Sequence, residues 1–118
     1  MWGTLMALKL VDASGGASQS NLTRELAKFP EPVRARFRSM MRSYAAEPQD
    51  QRPDFAKLSA LKGLREARYK YRGNQYRLFF AVTTTEVQML CAFHKTNKAD
   101  TQRFAKRAKT RRQNFQRV

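Results

Sequence analysis

Apolar residues recur with helical spacing in the second quarter of the chain. They follow the first of them at offsets of four, seven, eight and eleven residues, which puts them on one face of a helix with 3.6 residues per turn. Pro32 suits the first turn of this helix, because the N–H that proline lacks would be unbonded there anyway. The stripe consists of Val33, Phe37, Met40, Met41 and Tyr44.

A shorter apolar group just before this stripe predicts a second helix. Leu22, Leu26 and Phe29 fit one face of it. Asn21 is the predicted N-cap, and Pro30 ends the helix because proline disfavours the α conformation in the residue before it. The two helices are therefore expected to form a hairpin.

Beyond the hairpin and a polar loop, the pattern takes on the character of β-strands. Residues 63–71, 75–82 and 87–93 are apolar or alternating, and the stretches "RGN" and "TTTE" between them are turn signals. Three sequential strands joined by tight turns predict an antiparallel meander. Residues 5–11 predict one more strand, before the hairpin.

A basic helix is predicted after the last strand. Asp100 is its predicted N-cap, and the helix extends to about Gln116. Its inward residues are expected to be Phe104, Ala108 and Phe115. The order is thus β-α-α-β-β-β-α. We expect one α+β domain that spans all 118 residues, with the helices packed on one face of a curved antiparallel sheet.

Positive charge is concentrated in the second half of the chain. Residues 1–61 hold nine basic and six acidic side chains, whereas residues 62–118 hold fifteen basic and three acidic ones, and the whole chain has a formal charge of +15. A uniform excess would merely aid solubility, but an excess in one half favours a polyanionic partner. Nucleic acid is the first choice. An acidic protein, or a basic face that is simply solvated, is the alternative.

Several classes of protein are disfavoured by what the sequence lacks. One cysteine and one histidine argue against a disulfide framework and a structural zinc site. Clustered carboxylates for magnesium and nucleotide-binding loops are absent, so no metal or cofactor is expected. The start of the chain does not resemble a signal peptide, and no apolar run approaches the ~20 residues of a membrane span. We therefore expect a cytoplasmic protein with no membrane partner.

RNA cleavage without a metal fits this inventory. In that reaction the 2′-OH attacks the adjacent phosphate, which requires proton transfer and stabilisation of negative charge on the phosphate oxygens. The planar guanidinium of arginine suits phosphate. Arg68 and Arg77 lie on neighbouring predicted strands, Lys70 shares a face with Arg68, and Lys95 and Lys98 follow the last strand. Base-stacking candidates are Tyr69, Tyr71 and Tyr76.

Each candidate also has a purely structural interpretation. Strand arginines are commonly solvent-facing or paired, although Arg77 stands in the apolar stretch "YRLFF". His94 has an ordinary pKa of ~6.5 that suits acid–base chemistry, but a lone histidine is more often structural. Glu66 is either a proton-transfer group or the ion-pair partner of a neighbouring arginine. Cys91 is most simply a small buried residue.

Taken together, these segments resemble a known superfamily. The stretches "LKGLREARYKY", "YRLFF" and "FHKTNK" follow one another as "K-x-L-K-G-L-x-E-L-R", "Y-R-V-L-Y-F" and "F-x-K-K-T-Q-K-T-P" do in the HigB-like, phage-derived branch of the RelE/ParE toxins. A basic helix follows in both, and "KFPEPVRARF" fits that branch's "L-P-x-x-V-R" segment. The resemblance covers roughly residues 22–115. In this chain "NKAD" stands where that branch has "QKTP", which places Asp100 near the proposed site.

The resemblance implies a small toxin that cuts mRNA on the translating ribosome and is held inactive by a helix-turn-helix antitoxin. By position, it implies that Arg77 stabilises the scissile phosphate and that Arg68, Lys62 and Lys95 hold the RNA backbone. It does not make His94 catalytic, because the family fills that position variously. The basic helix, with Arg107 and Arg111, is expected to meet 16S rRNA or an acidic antitoxin surface. The superfamily also includes ParE-like toxins that poison DNA gyrase, and a plain RNA- or DNA-binding module is a third possibility.

Overall fold

In the part of the chain that the structure describes, three helices and five strands form the fold. The computed structural model describes residues 7–48, 53–58 and 63–116. The elements are β1 (Lys9–Asp12), α1 (Asn21–Ala27), α2 (Glu31–Ala46), β2 (Phe55–Lys57), β3 (Leu64–Tyr71), β4 (Asn74–Val82), β5 (Glu86–Lys95) and α3 (Lys98–Gln116). The predicted α+β class and the predicted helices are confirmed. The two predicted capping residues are wrong, since Ser20 caps α1 and α3 begins two residues before Asp100.

The strands form one mixed sheet in the order β1-β5-β4-β3-β2. The predicted meander is present as antiparallel β3, β4 and β5. The expectation of a wholly antiparallel sheet is wrong, because β1 runs parallel to β5, with Lys9 opposite Glu86. The reason lies in the connection: the helices and the other strands separate β1 from β5, and such a long connection permits a parallel pair.

The sequence pattern also missed strand β2. Its three residues pair antiparallel with residues 65–67 of β3. A strand of this length is too short to show a period of two, and it directly follows the predicted polar loop. Phe55 is its buried residue, and its ring lies 4.9 Å from that of Tyr44 in α2. This strand therefore extends the sheet beneath the end of α2.

The sheet is covered on both faces. The hairpin α1–α2 packs on one face through Phe37 and Tyr44, against Leu78 and Phe80 of β4. Helix α3 packs on the other face, where Phe79 alternates with those two strand residues. The expectation that all helices share one face is therefore wrong. The apolar residues "LFFAV" of β4 follow one another without polar residues between them because both faces of β4 are buried.

Helix α2 buries the stripe that the sequence predicts. All five of its predicted stripe residues are at most 5% exposed. In α3, Ala105 and Ala108 are buried, and Phe104 and Phe115 are half-buried against the same cluster. Among the described residues, none of the helices combines the length and apolarity that a bilayer crossing requires.

Candidate functional site

The register of β3, β4 and β5 brings four basic side chains onto the α3 face of the sheet. Arg68 lies opposite Arg77, and both alternate with residues that face the hairpin. One step further along, Lys70 pairs with Gln75, which in turn pairs with Lys95. These four residues, Arg68, Lys70, Arg77 and Lys95, are called the basic strip below.

Arg77 is the buried member of the basic strip. Its side chain is 10% exposed, whereas that of Arg68 is 48% exposed. Its Nη2 donates a hydrogen bond of 2.6 Å to Gln75 Oε1. Its Nε, although buried, has no hydrogen-bond partner among the described residues. Burial lowers the pKa of Arg77, the Glu66 carboxylate opposes that shift, and Arg68 adds to it. The guanidinium still carries its charge, as arginine does in proteins.

Glu66 holds the two arginines side by side. Its side chain is 7% exposed, and Oε1 accepts a hydrogen bond of 2.7 Å from Arg68 Nε. Its Oε2 lies 3.5 Å from Arg77 Nε. One buried carboxylate thus offsets part of the repulsion between two adjacent guanidinium groups. It fits the ion-pair role considered from the sequence. Sequence reasoning missed Gln75, although its spacing of two from Arg77 put it on the same strand face.

His94 lies on the other face of the sheet. It pairs with Tyr76, and the two rings stack with centroids 4.9 Å apart. Tyr76 is 6% exposed, because its ring also packs against Phe29 at 4.9 Å. The sheet therefore separates His94 from Arg77. Tyr76, a base-stacking candidate from the sequence, is covered on both sides and supports the exposed imidazole.

A polar cavity lies beyond the end of the basic strip. It has a volume of about 470 Å³ and is lined by Gln75, His94, Lys95 and Lys98, among others. Lys98 is exposed at the start of α3. The cavity thus places two lysines and a histidine at one rim, although Lys95 and His94 point from opposite faces of β5.

Asp100 does not line this cavity, and its carboxylate instead takes part in the hydrogen bonds that cap the start of α3. It is 2% exposed, and its Oδ2 accepts hydrogen bonds from Thr96 N at 2.7 Å and Asn97 N at 3.1 Å. The Asn97 side chain in turn accepts from the Asp100 N–H at 3.2 Å. This reciprocal arrangement is a capping box. The negative charge of Asp100, which the sequence placed near the site, is therefore taken up by hydrogen bonds to the backbone of the loop before α3.

We expect Asp100 to make the start of α3 sensitive to acid. Hydrogen bonding, chiefly from the Thr96 backbone N–H, lowers its pKa below the ordinary value of 3.8. A carboxylate with a lowered folded pKa stabilises the fold above its unfolded pKa and loses that contribution as the pH falls through the folded value. Asp100→Asn should therefore be less stable than wild type at neutral pH, and the difference should shrink below pH 3.8. Thermal unfolding measured across that range checks this. A difference independent of pH would contradict it.

The two arginines predicted on the basic helix lie in different surroundings. Arg111 is 14% exposed, donates to Glu25 Oε2 at 2.7 Å and to the Leu90 carbonyl at 2.9 Å, and so anchors α3 to α1 and β5. Arg107 is 46% exposed and lies 4.8 Å from the Phe104 ring centre. Lys62 lies outside the described residues. Of the two arginines, Arg107 is thus the one whose guanidinium is presented to solvent.

The remaining chemically reactive groups do not form a second centre. Cys91 is buried in the α3 cluster, and burial raises its pKa to about 12, so the thiol stays protonated. Within the part of the chain that the structure describes, no three His, Cys, Asp or Glu side chains are grouped as a metal site would require. Arginine and lysine therefore dominate the chemistry available on this surface.

Comparison with known families accounts for most of the chain. The family model of the phage-derived protein Gp49-like group (DUF891) matches residues 24–113. The chain belongs to this family. None of the curated proteins compared with it matches. The Gp49-like family is toxin-like, of the RelE/HigB type, and is associated with RelE-like toxins that act as endoribonucleases. The matched residues include the whole basic strip and His94, so the site lies within the part that defines the Gp49-like family.

Proposed function

We propose that this protein is the toxin of a type II toxin–antitoxin pair and that it cleaves mRNA without a metal ion. The observation that carries the proposal is the pair Arg68 and Arg77, which lie on adjacent strands and share the buried carboxylate of Glu66. Membership of a toxin-like family supports it. The net charge of +15 supports a polyanionic substrate.

The reaction requires the basic strip to stabilise charge. The 2′-oxygen forms a bond to phosphorus, the bond from phosphorus to the 5′-oxygen breaks, and the products are a cyclic phosphate and a free 5′-hydroxyl. Negative charge grows on the two non-bridging oxygens during this exchange. Arg77 binds these oxygens, since Gln75 and Glu66 hold its guanidinium in place on the strip. Arg68 and Lys95 hold the flanking phosphates, and Lys70 and Lys98 extend the basic path.

Proton transfer is a second requirement of the reaction, separate from charge stabilisation. The 2′-hydroxyl must lose a proton, and the 5′-oxygen must gain one. His94, which the sequence suggested for this step, lies on the opposite face of the sheet from Arg77. We therefore place His94 at the rim of the site and not beside the scissile phosphate.

The substrate and the partner follow from the toxin assignment. We propose that the protein acts in the cytoplasm on mRNA bound to the translating ribosome, where the exposed basic residues of α3 outside the site meet 16S rRNA. A helix-turn-helix antitoxin neutralises it. Co-purification with the product of an adjacent open reading frame of that class tests the partner directly.

Tightly controlled expression should arrest growth and produce new transcript 5′ ends. This outcome is expected because a ribosome-dependent nuclease cuts within translated regions. Mapping of transcript 5′ ends during arrest is the measurement. Intact mRNA with active translation would contradict the proposal. Intact mRNA together with SOS induction and blocked supercoiling would instead identify a gyrase poison, and binding of nucleic acid without arrest would identify a plain binding module.

A further inference from the structure

A groove runs along the edge of β5 on the side away from β4. Strand β1 covers only residues 86–89 of β5. Beyond them, the edge faces a gap between α1 and α3 with a volume of about 320 Å³. Its walls include Lys28 of α1, Phe104 and Arg107 of α3, and His94 of β5, with Glu25 beside the strand. This space is called the edge groove below. Its volume lies within the range of small-ligand clefts.

The edge groove is poorly suited to the addition of a peptide strand. An uncovered strand edge normally offers backbone donors and acceptors to another chain. Here the Ala92 N–H donates to Glu25 Oε1 at 3.0 Å, and the Leu90 carbonyl accepts from Arg111 at 2.9 Å. An added strand would have to break both contacts. The groove therefore favours a ligand that uses its walls rather than its strand edge.

One wall of the edge groove is a supported aromatic ring. The imidazole of His94 lies on Tyr76 with an interplanar angle of 23°, and Phe29 supports Tyr76 from behind. His94 itself is exposed. A planar ring that is held in place on one side and open on the other is a stacking platform for a nucleobase.

The charge of the edge groove favours an anionic ligand. Lys28 and Arg107 are both exposed at its walls. The carboxylate of Glu25 is neutralised by Arg111 at 2.7 Å, and Arg107 lies 3.9 Å from it. Because Arg111 already offsets Glu25, Lys28 and Arg107 give the groove a net positive charge, which suits a phosphate that flanks a stacked base.

The edge groove also adjoins the proposed cleavage site. His94 lines both the groove and the polar cavity, and Lys95, the next residue, belongs to the basic strip. Consecutive strand residues face opposite sides of a sheet. A chain that crosses the end of β5 can thus contact Lys95 through a phosphate and reach His94 with the neighbouring base.

We propose that the edge groove binds a nucleobase of the RNA strand whose phosphodiester lies on the basic strip, with His94 as the stacking platform and Lys28 and Arg107 as the phosphate contacts. This inference rests on the proposed function. It assigns His94 to substrate binding rather than to proton transfer. It also places a base-binding position next to the cleaved bond.

Fluorescent RNA tests the platform. A short non-cleavable RNA with 2′-deoxy substitution at the cleaved position and 2-aminopurine beside it is titrated with the full-length protein. We expect quenching with wild type, a loss of affinity of about tenfold with His94→Ala, and recovery of most of that loss with His94→Phe. Recovery by a ring that carries no proton separates stacking from acid–base chemistry. Equal loss in both variants, with both folded by circular dichroism, would overturn the platform.

Charge variants test the walls of the edge groove. Lys28→Ala combined with Arg107→Ala should lower the affinity, whereas Lys106→Ala combined with Lys109→Ala, which removes two exposed charges from α3 outside the groove, should have a much smaller effect. Equal effects of the two would overturn the groove contacts. Unchanged RNA binding with loss of antitoxin binding would overturn them too and assign the groove to a protein partner.

The same experiments separate the two proposals. If wild type neither binds nor cleaves mRNA, on ribosomes or free, the proposed function fails. If wild type cleaves mRNA but its aminopurine signal and affinity do not respond to His94→Ala, the function stands and the edge groove proposal is overturned.

Discussion

Arg77→Ala is expected to lower mRNA cleavage by about 10²–10³-fold, the usual cost of removing one donor that stabilises a charged transition state. Arg77 is the one member of the basic strip that is both buried and fixed by Gln75 and Glu66. A fixed charge in a site with little water acts more strongly on developing negative charge than a mobile surface lysine does. Growth arrest should be relieved in parallel. Transcript 5′-end mapping and growth curves are the measurements.

The alanine variant also leaves the buried Glu66 without one of its two partners. Removing one member of a buried ion pair costs about 3–5 kcal/mol, so loss of activity could come from unfolding. Two further variants separate the effects: Arg77→Lys keeps a charge, and Glu66→Gln combined with Arg77→Gln removes both members of the pair. We expect the double variant to fold and to be inactive. Arg42→Ala, an exposed arginine on α2, is the control. Full cleavage by a folded Arg77→Ala would remove Arg77 from the site.

Glu25→Ala is expected to lower the free energy of unfolding by about 3 kcal/mol. The carboxylate is 15% exposed, bonds Arg111 and accepts from the Ala92 N–H, so its loss leaves a half-buried guanidinium and a strand-edge donor without a partner. Helix α3 would lose its main polar anchor to α1. For a domain of this size, Tm should fall by more than roughly 10 °C.

Glu31→Ala is the matched control for this prediction. Glu31 is also a helix glutamate that pairs with arginines, Arg34 and Arg38, but its side chain is 63% exposed. Exposed pairs contribute about 1 kcal/mol or less. Similar changes in Tm for the two variants would show that burial does not strengthen the Glu25 pair. Glu25→Leu combined with Arg111→Leu should recover part of the loss, because it leaves no buried charge.

The helices and the central strands were predictable because their patterns are local. The α2 stripe repeats within one element, and the β4 run is apolar on both faces. By contrast, β2 is too short for a period, and the parallel position of β1 depends on a partner far along the chain. Local pattern carries no information about such pairings.

The residues that share a strand face could be predicted from their spacing. The burial of a side chain could not be predicted where it depends on a partner far away in the sequence. Arg68 and Lys70 share a face by their spacing, and the register then adds Arg77 and Lys95. Nothing near Arg111 distinguishes it from Arg107 on a helix rich in basic residues. The distinction comes from Glu25, 86 positions away, which turns one arginine inward.

The parallel pairing of β1 with β5 has a consequence for the time at which the protein becomes active during synthesis. Of the described strands, β1 comes first in the chain and lies at the sheet edge beside β5, which comes last. Glu25 cannot form its ion pair until Arg111 of α3 has been synthesised. Contacts between such distant segments slow folding, because the chain must close long loops before it gains them. A nascent chain on its ribosome has no complete sheet and no anchored α3. Under the proposed function, the toxin therefore stays inactive towards the ribosome that makes it until nearly all of the described fold has emerged, and an antitoxin has that interval in which to meet the folding chain.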